Sequence, residues 1–158
     1  MAIIIDGHNL IPHIPGIDLS DPDDEEKLVR VLQEYGRLRR KQIEVYFDRA
    51  PVGLSGERNY GQVRAYFVRA GITADDAIMA KLKRLGKRAK NYTVVSSDRQ
   101  IQQAARAAHA VVIDSATFAA DWQRLIDQEP ALDPQNQPLS AAELKAWEDL
   151  FNNRPQDD

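Results

Sequence analysis

Five short apolar runs divide the first two thirds of the chain, and stretches of helical period separate them. Ala2-Ile3-Ile4-Ile5 comes first; a bounded β-branched run of this kind predicts a buried strand. Ile43-Glu44-Val45-Tyr46-Phe47 is the second. Val63 to Arg69 alternates, with Val63, Ala65 and Phe67 on one face and Arg64 and Tyr66 on the other. Tyr92 to Ser96 and Ala110 to Ile113 complete the set. Between them, Leu28, Val31, Leu32, Tyr35 and Leu38 recur at helical spacing from an acid-rich start near Asp24, which suits the positive end of a helix dipole. Ile78, Leu82, Leu85 and Ala89 form one stripe of a helix starting near Ala74, and helices are also predicted over Asp98–His109 and Thr117–Asp127. Leu10–Asp23 and residues 49–62, rich in Pro and Gly, read as surface loops. The alternation predicts an α/β fold, a three-layer α/β/α Rossmann-like arrangement on a mainly parallel five-stranded sheet.

Residues 1–128 are expected to form this domain. Pro130 to Pro138 reads as a linker, and Ser140 with Glu143 forms a capping box that starts a last helix carrying Leu144, Trp147, Leu150 and Phe151. Residues 129–152 are therefore expected to be a linker and helix packed on the same domain, with 153–158 frayed.

The length of 158 residues suits one core, and apolar and charged fractions of 43% and 28% give no reason to expect disorder. With no cysteine, disulfides and thiolate metal sites are excluded, so a metal would take oxygen or imidazole ligands. No apolar run is long enough to span a membrane and no signal-like segment opens the chain, so a cytoplasmic address and no membrane partner are expected. The net charge of -3 conceals segregation. Residues 49–90 carry ten Lys or Arg against three acids, a net of +7, whereas residues 114–158 carry three bases against ten acids, a net of -7. A basic middle is the footprint of a phosphate-backbone binder, and Arg49, Arg58, Arg64 and Lys81 are candidate contacts. Solvated helix faces explain the same charges equally well.

Chemistry points to the strand ends. Asp6, Asp48 and Asp98 each close a predicted strand, and parallel strands bring their C-terminal ends to one edge. Asp75 lies three and seven residues before Ile78 and Leu82, on the buried stripe of its helix, and should face that edge. Asp76 stands three residues after Thr73, so it is either a further ligand or part of a capping box. Each acid also has a plain reading as a helix cap or turn former. Several carboxylates facing one point repel and raise one another's pKa unless a cation joins them, and Mg²⁺ or Mn²⁺ is the natural oxygen-bound occupant. Water activated there would attack a phosphodiester. Asn9 is placed beside Asp6, with Gly7 allowing a tight turn and His8 a bystander. Ser97 is a donor to phosphate or a cap, and Tyr60, in a loop, is a candidate for stacking on a base.

The series Ile5-Asp6-Gly7-His8-Asn9-Leu10-Ile11, Tyr46-Phe47-Asp48, Thr73-Ala74-Asp75-Asp76-Ala77-Ile78 and Val95-Ser96-Ser97-Asp98 resembles the YacP-like group of NYN domains, within the PIN-like nuclease superfamily. The resemblance covers residues 1 to about 128, and Leu139-Ser140-Ala141-Ala142-Glu143-Leu144 also looks like that group's C-terminal segment. It implies a bacterial cytoplasmic nuclease that holds Mg²⁺ or Mn²⁺ at Asp6, Asp75 and Asp98, with Asn9 beside them and Asp48 and Asp76 as further ligands. Its substrate would be RNA (messenger, transfer or ribosomal, the last on the ribosome), cut endonucleolytically. The chain departs from some NYN relatives at Gln102, where they place another acid, and Asp114 is either a substitute or a helix cap. The competing reading is a non-catalytic RNA- or ribosome-binding module that uses only the basic face. A receiver-like phosphoacceptor fits less well, since Gly7 rather than an acid follows Asp6.

Overall fold

The computed structural model describes residues 2–50, 53, 55–69 and 71–128. Strands β1 (Ala2–Asp6), β2 (Gln42–Ala50), β3 (Gly56–Tyr60), β4 (Val63–Arg69), β5 (Tyr92–Val95) and β6 (Val111–Ile113) form one sheet in the order β3-β4-β2-β1-β5-β6. Every neighbouring pair is parallel except β3 with β4. The expected α/β class and parallel sheet are present, but the sheet has six strands rather than five. The extra strand lies in the segment read as a loop. Its sequence, Gly-Glu-Arg-Asn-Tyr, has no apolar alternation because this edge strand is exposed along most of its length, and its pairing uses backbone groups that any residue supplies. A turn at Gly61 (φ 75°), whose N–H donates to Asn59 Oδ1 at 3.1 Å, joins it to β4.

Helices cover both faces of the sheet. On one, α3 (Ala74–Leu85) and α4 (Arg99–Ala107) pack Ile78, Leu82, Ile101 and Ala105 against Ile4, Tyr46 and Val94. On the other lies α2 (Asp24–Arg39), where a Cβ added to Gly36 would come within 3.4 Å of the Ile43 δ-methyl. Tyr35 of α2 meets Phe118 of α5 (Ser115–Gln128) with ring centroids 4.5 Å apart. Between β1 and α2 the short helix α1 (Gly7–Leu10) and a 3₁₀ turn (Ile11–His13) bring the loop back across the strand end.

Two units divide the chain, Met1–Ala120 and Asp121–Asp158. The sheet and its site lie in the first. In the second, residues 121–128 continue α5, with an Arg124–Asp121 ion pair at 2.7 Å. The expected linker, last helix and frayed end fall at 129–158, outside the described residues.

β1 is the centre from which the chain turns first toward β2 and β4 and then, by a crossover, toward β5 and β6. In open α/β sheets such a reversal leaves a crevice beyond the carboxyl ends of the strands. Asp6 pairs in register with Tyr46, and Ile5 with Val95, so Asp6, Asp48 and Ser96-Ser97-Asp98 all end near that crevice.

Candidate active site

β1 carries Asp6 into the crevice on a backbone that is buried on both faces, and only 7% of the residue remains exposed. Helix α3 starts directly above, capped by Thr73, whose Oγ1 accepts the Asp76 N–H at 3.0 Å. This cap fixes the first turn so that Asp75 faces Asp6, close enough to raise its carboxyl, while Asp98 acts on Asp75 in the same way. Burial pushes the Asp6 carboxyl up to about 7, with Asp75 and then Asp48 adding to the effect and the Asn9 backbone N–H opposing it. Asp75 is raised as well, first by burial and then by Asp98. Carboxylates that raise one another's pKa resist ionising together, and a cation between them would relieve that repulsion.

Asp98 serves two ends. Its Oδ1 caps α4 by accepting the N–H groups of Gln100 and Ile101 at 2.8 and 3.2 Å, so the capping role and proximity to Asp75 coexist. Asn9 uses its carbonyl as a latch, accepting the Ser97 N–H at 2.8 Å and the buried Ser115 hydroxyl at 2.6 Å. Ser97 in turn accepts the Ser115 N–H at 3.1 Å through Oγ, which leaves its own hydroxyl proton for another acceptor.

Asp48 reaches the cluster through space and is held by His8, whose Nδ1 lies 2.9 Å from Asp48 Oδ1 and whose Nε2 lies 2.8 Å from Glu25 Oε2. His8 is thus a clamp between β2 and α2 rather than a bystander. Its pKa is raised, chiefly by Glu25, with Asp48 adding to this against burial. Gly7 answers to a different need from the expected turn. Its φ is not positive, but a Cβ there would lie 2.4 Å from Phe47 Cε1 and 3.0 Å from the Tyr46 carbonyl. Only hydrogen fits.

The other candidates divide by position. Arg49 is exposed, adopts a left-handed φ of 62° at an irregularity in β2, and lines a cleft of about 450 Å³ with His8, Asp24, Glu25 and Asp48. Arg58 and Tyr60 stand on β3 and line a second cleft against α2. Arg64 pairs with Glu57 at 3.0 Å and lies level with Glu44, well down the sheet from Asp48. Lys81 is tied to Glu44 at 3.4 Å and is only 19% exposed, so neither reaches the carboxylates. Asp76 is exposed at the cap and does not join them. Asp114 caps α5 through the Thr117 N–H at 2.7 Å, and Gln102 holds the Ser96 carbonyl at 2.8 Å. The exposed bases Lys83, Arg84, Lys87, Arg88 and Lys90 follow α3 away from the site toward the opposite sheet edge.

Asp6, Asp48, Asp75 and Asp98 offer only oxygen donors, the kind a hard divalent cation takes, but among the described residues these acids do not form a group of three whose ligand atoms all lie within 4.8 Å of one another. The ligand atoms of His8, Asp24 and Glu25 do lie within 4.8 Å of one another. Both ring nitrogens of His8 are already engaged, however, so a cation there would have to break the clamp. Sequence reasoning missed Glu25. It reads as one of three acids at a helix start, and only the path of the loop from Leu10 to Asp23 brings it to His8.

The sequence model of the YacP-like NYN domain matches residues 3–152. Among solved structures, Rae1 (YacP) from Bacillus subtilis is similar at a TM-score of 0.65 and 19% identity, covering 100% of this chain and 96% of that one. Its W164L mutant is similar at a TM-score of 0.62 and 22% identity, with 82% of each chain covered. At these identities the likeness shows the fold. No curated protein matches by sequence.

Proposed function

Because the chain belongs to the YacP-like NYN domain family, a nuclease-type family, we propose that it is a metal-dependent endoribonuclease. The observation that supports this most is the convergence of Asp6, Asp75 and Asp98 at the C-terminal edge of the sheet, where Asp75 raises the Asp6 carboxyl and Asp98 raises that of Asp75. PIN-like nucleases generally use divalent metals, and here Asp6, Asp75 and Asp98, with Asp48 behind them, would hold Mg²⁺ or Mn²⁺. Such an ion, when bound, neutralises charge on the phosphate and makes water a better nucleophile.

The chain's own groups do the rest. With its carboxyl raised to about 7, Asp6 binds a cation only in its ionised form, so cation affinity rises with pH toward that value. His8 holds Asp48 in place, and Asn9 ties the end of β5 to that of β1. Ser97 offers its free hydroxyl proton to a non-bridging phosphate oxygen, while Arg49 stands at the mouth of the cleft as a counter-charge. Water oxygen attacks phosphorus and gives up a proton to solvent, one ester P–O bond breaks, and the leaving oxygen takes a proton from solvent. The substrate is cytoplasmic RNA, and strands long enough to leave the crevice reach the basic residues at the far edge.

The test is incubation of circular and end-labelled single-stranded RNA with Mg²⁺, Mn²⁺ or EDTA. Linearisation of the circle with metal and none in EDTA is expected. Mononucleotide release from linear RNA alone would overturn endonucleolytic action. Salt-sensitive binding without any product would favour the non-catalytic module, to which the basic far edge also lends itself.

A further inference from the structure

A cleft of about 490 Å³ opens between α2 and the β3–β4 hairpin, next to the carboxylates but separate from them. Its size falls within the roughly 300–1,000 Å³ of small-ligand sites. The floor is aromatic. Phe67 packs on Phe47 at 5.3 Å, and the Arg58 guanidinium lies 4.8 Å above the Phe67 ring, while half-buried Tyr60 forms the side of the cleft. Gln33 on α2 donates to the Tyr60 carbonyl at 3.3 Å, which fixes the amide at the far wall. The near wall is acidic. Glu25 is committed to His8, whereas Glu26 is exposed and only loosely paired with Arg30 at 3.5 Å.

Three carboxylates, Asp23, Glu25 and Glu26, outnumber the guanidiniums of Arg30 and Arg58 in the lining, so the cleft does not favour phosphate over a base. Aromatic and guanidinium faces stack on bases, and a carboxylate accepts hydrogen bonds from an exocyclic amine. Resting on the ribonuclease reading, we infer that this cleft binds one unpaired nucleobase of the RNA substrate, stacked on the Tyr60–Arg58 side, and that Glu26 favours bases with an exocyclic amino group. The chain Glu25–His8–Asp48 joins this wall to the carboxylate centre, so a base seated here belongs to a nucleotide near the scissile bond.

The test is fluorescence anisotropy of labelled oligocytidylate and oligouridylate with the full chain in EDTA at pH 7.5. The two bases are alike in size and differ in the amino group. Preference for cytidine by about fivefold is expected for a charge-assisted hydrogen bond. Tyr60→Ala should weaken cytidine binding about tenfold through lost stacking. Glu26→Ala should abolish the preference without weakening uridine binding, and as an exposed helix substitution it leaves the fold intact. Unchanged binding in Tyr60→Ala, or an unchanged preference in Glu26→Ala, would overturn the cleft assignment while leaving the nuclease reading in place. Absence of binding to either oligonucleotide at low salt would overturn the RNA reading itself.

Discussion

Replacing Asp6 by Asn should make the metal-free protein more stable above neutral pH, although it removes a residue from the centre of the site. Asp6 is 7% exposed, and its carboxyl is pushed from 3.8 to about 7, first by burial and then by Asp75 and Asp48. The unfolded chain loses this proton near 3.8, while the folded chain keeps it until about 7. Between those values the folded state binds more protons, so stability falls as pH rises, and the full penalty applies above 7. At about 1.4 kcal/mol per pH unit between the two titrations, ionised Asp6 costs the fold about 4 kcal/mol. Asn keeps an acceptor for the Asn9 N–H, can offer Asp75 an amide donor, and never ionises. A gain of about 2–4 kcal/mol at pH 8.5 follows, because neighbouring side chains and water relieve part of the cost in the parent protein. For a chain of this size that is roughly 5–15 °C in Tm. At pH 5, where folded Asp6 is protonated but the unfolded chain has already ionised, only about 1.2 of those pH units have been crossed, so the variant's advantage should shrink to about 1–2 kcal/mol. Thermal melts followed by circular dichroism in EDTA at both pH values measure this. An Asn variant no more stable than the parent at pH 8.5 would refute the claim that Asp6 is held neutral by burial and its acidic neighbours.

Further consequences follow from the same geometry. Gly7→Ala should cost about 1–3 kcal/mol, since fully buried Phe47 has no room to yield, and Gly7→Ala/Phe47→Leu should recover part of the loss in urea unfolding. Asn9→Ala strands the Ser97 N–H and the buried Ser115 hydroxyl, a loss of about 1–3 kcal/mol; a double-mutant cycle with Ser115→Ala should show coupling, and additivity would contradict the latch. The raised pKa of His8 gives stability that is present below 6.5 and lost as pH rises through the folded value. In an Asp6→Asn background, His8→Gln should therefore flatten the remaining decline of the urea midpoint above pH 6.5.

Much of this arrangement is legible in the sequence because it follows from period. Ile3-Ile4-Ile5 and Tyr46-Phe47 mark buried parallel strands, and parallel strands place Asp6, Asp48 and Asp98 at one edge whatever the loops do. The stripe through Ile78 and Leu82 likewise aims Asp75 at Asp6. Features that depend on the route of a loop or on packing are not legible. β3 is an exposed edge strand and leaves no apolar trace. Glu25 joins His8 only because the segment after Leu10 folds back over β1. The basic count from Arg49 to Lys90 is correct as a count, but it does not say which sheet edge each base occupies. Thus Lys81 pairs with Glu44, and the remaining α3 bases run away from the carboxylates. Gly7 shows the same limit: a glycine after an acid reads as a turn, and the ring of Phe47 that requires it lies forty residues along the chain.

The central claim, that the carboxylates serve a cation and RNA hydrolysis rather than the fold, is tested most directly by one side-by-side measurement. Single-turnover cleavage of end-labelled RNA in Mn²⁺ at pH 8 is followed for the parent protein and Asp6→Asn, with Tm recorded for the same samples. The account predicts a variant that melts higher without metal, gains no stability from Mn²⁺, and cleaves at least about a hundredfold more slowly, a loss of about 2.7 kcal/mol in the barrier. Cleavage within a few-fold of the parent, with the same Mn²⁺ dependence, would contradict it.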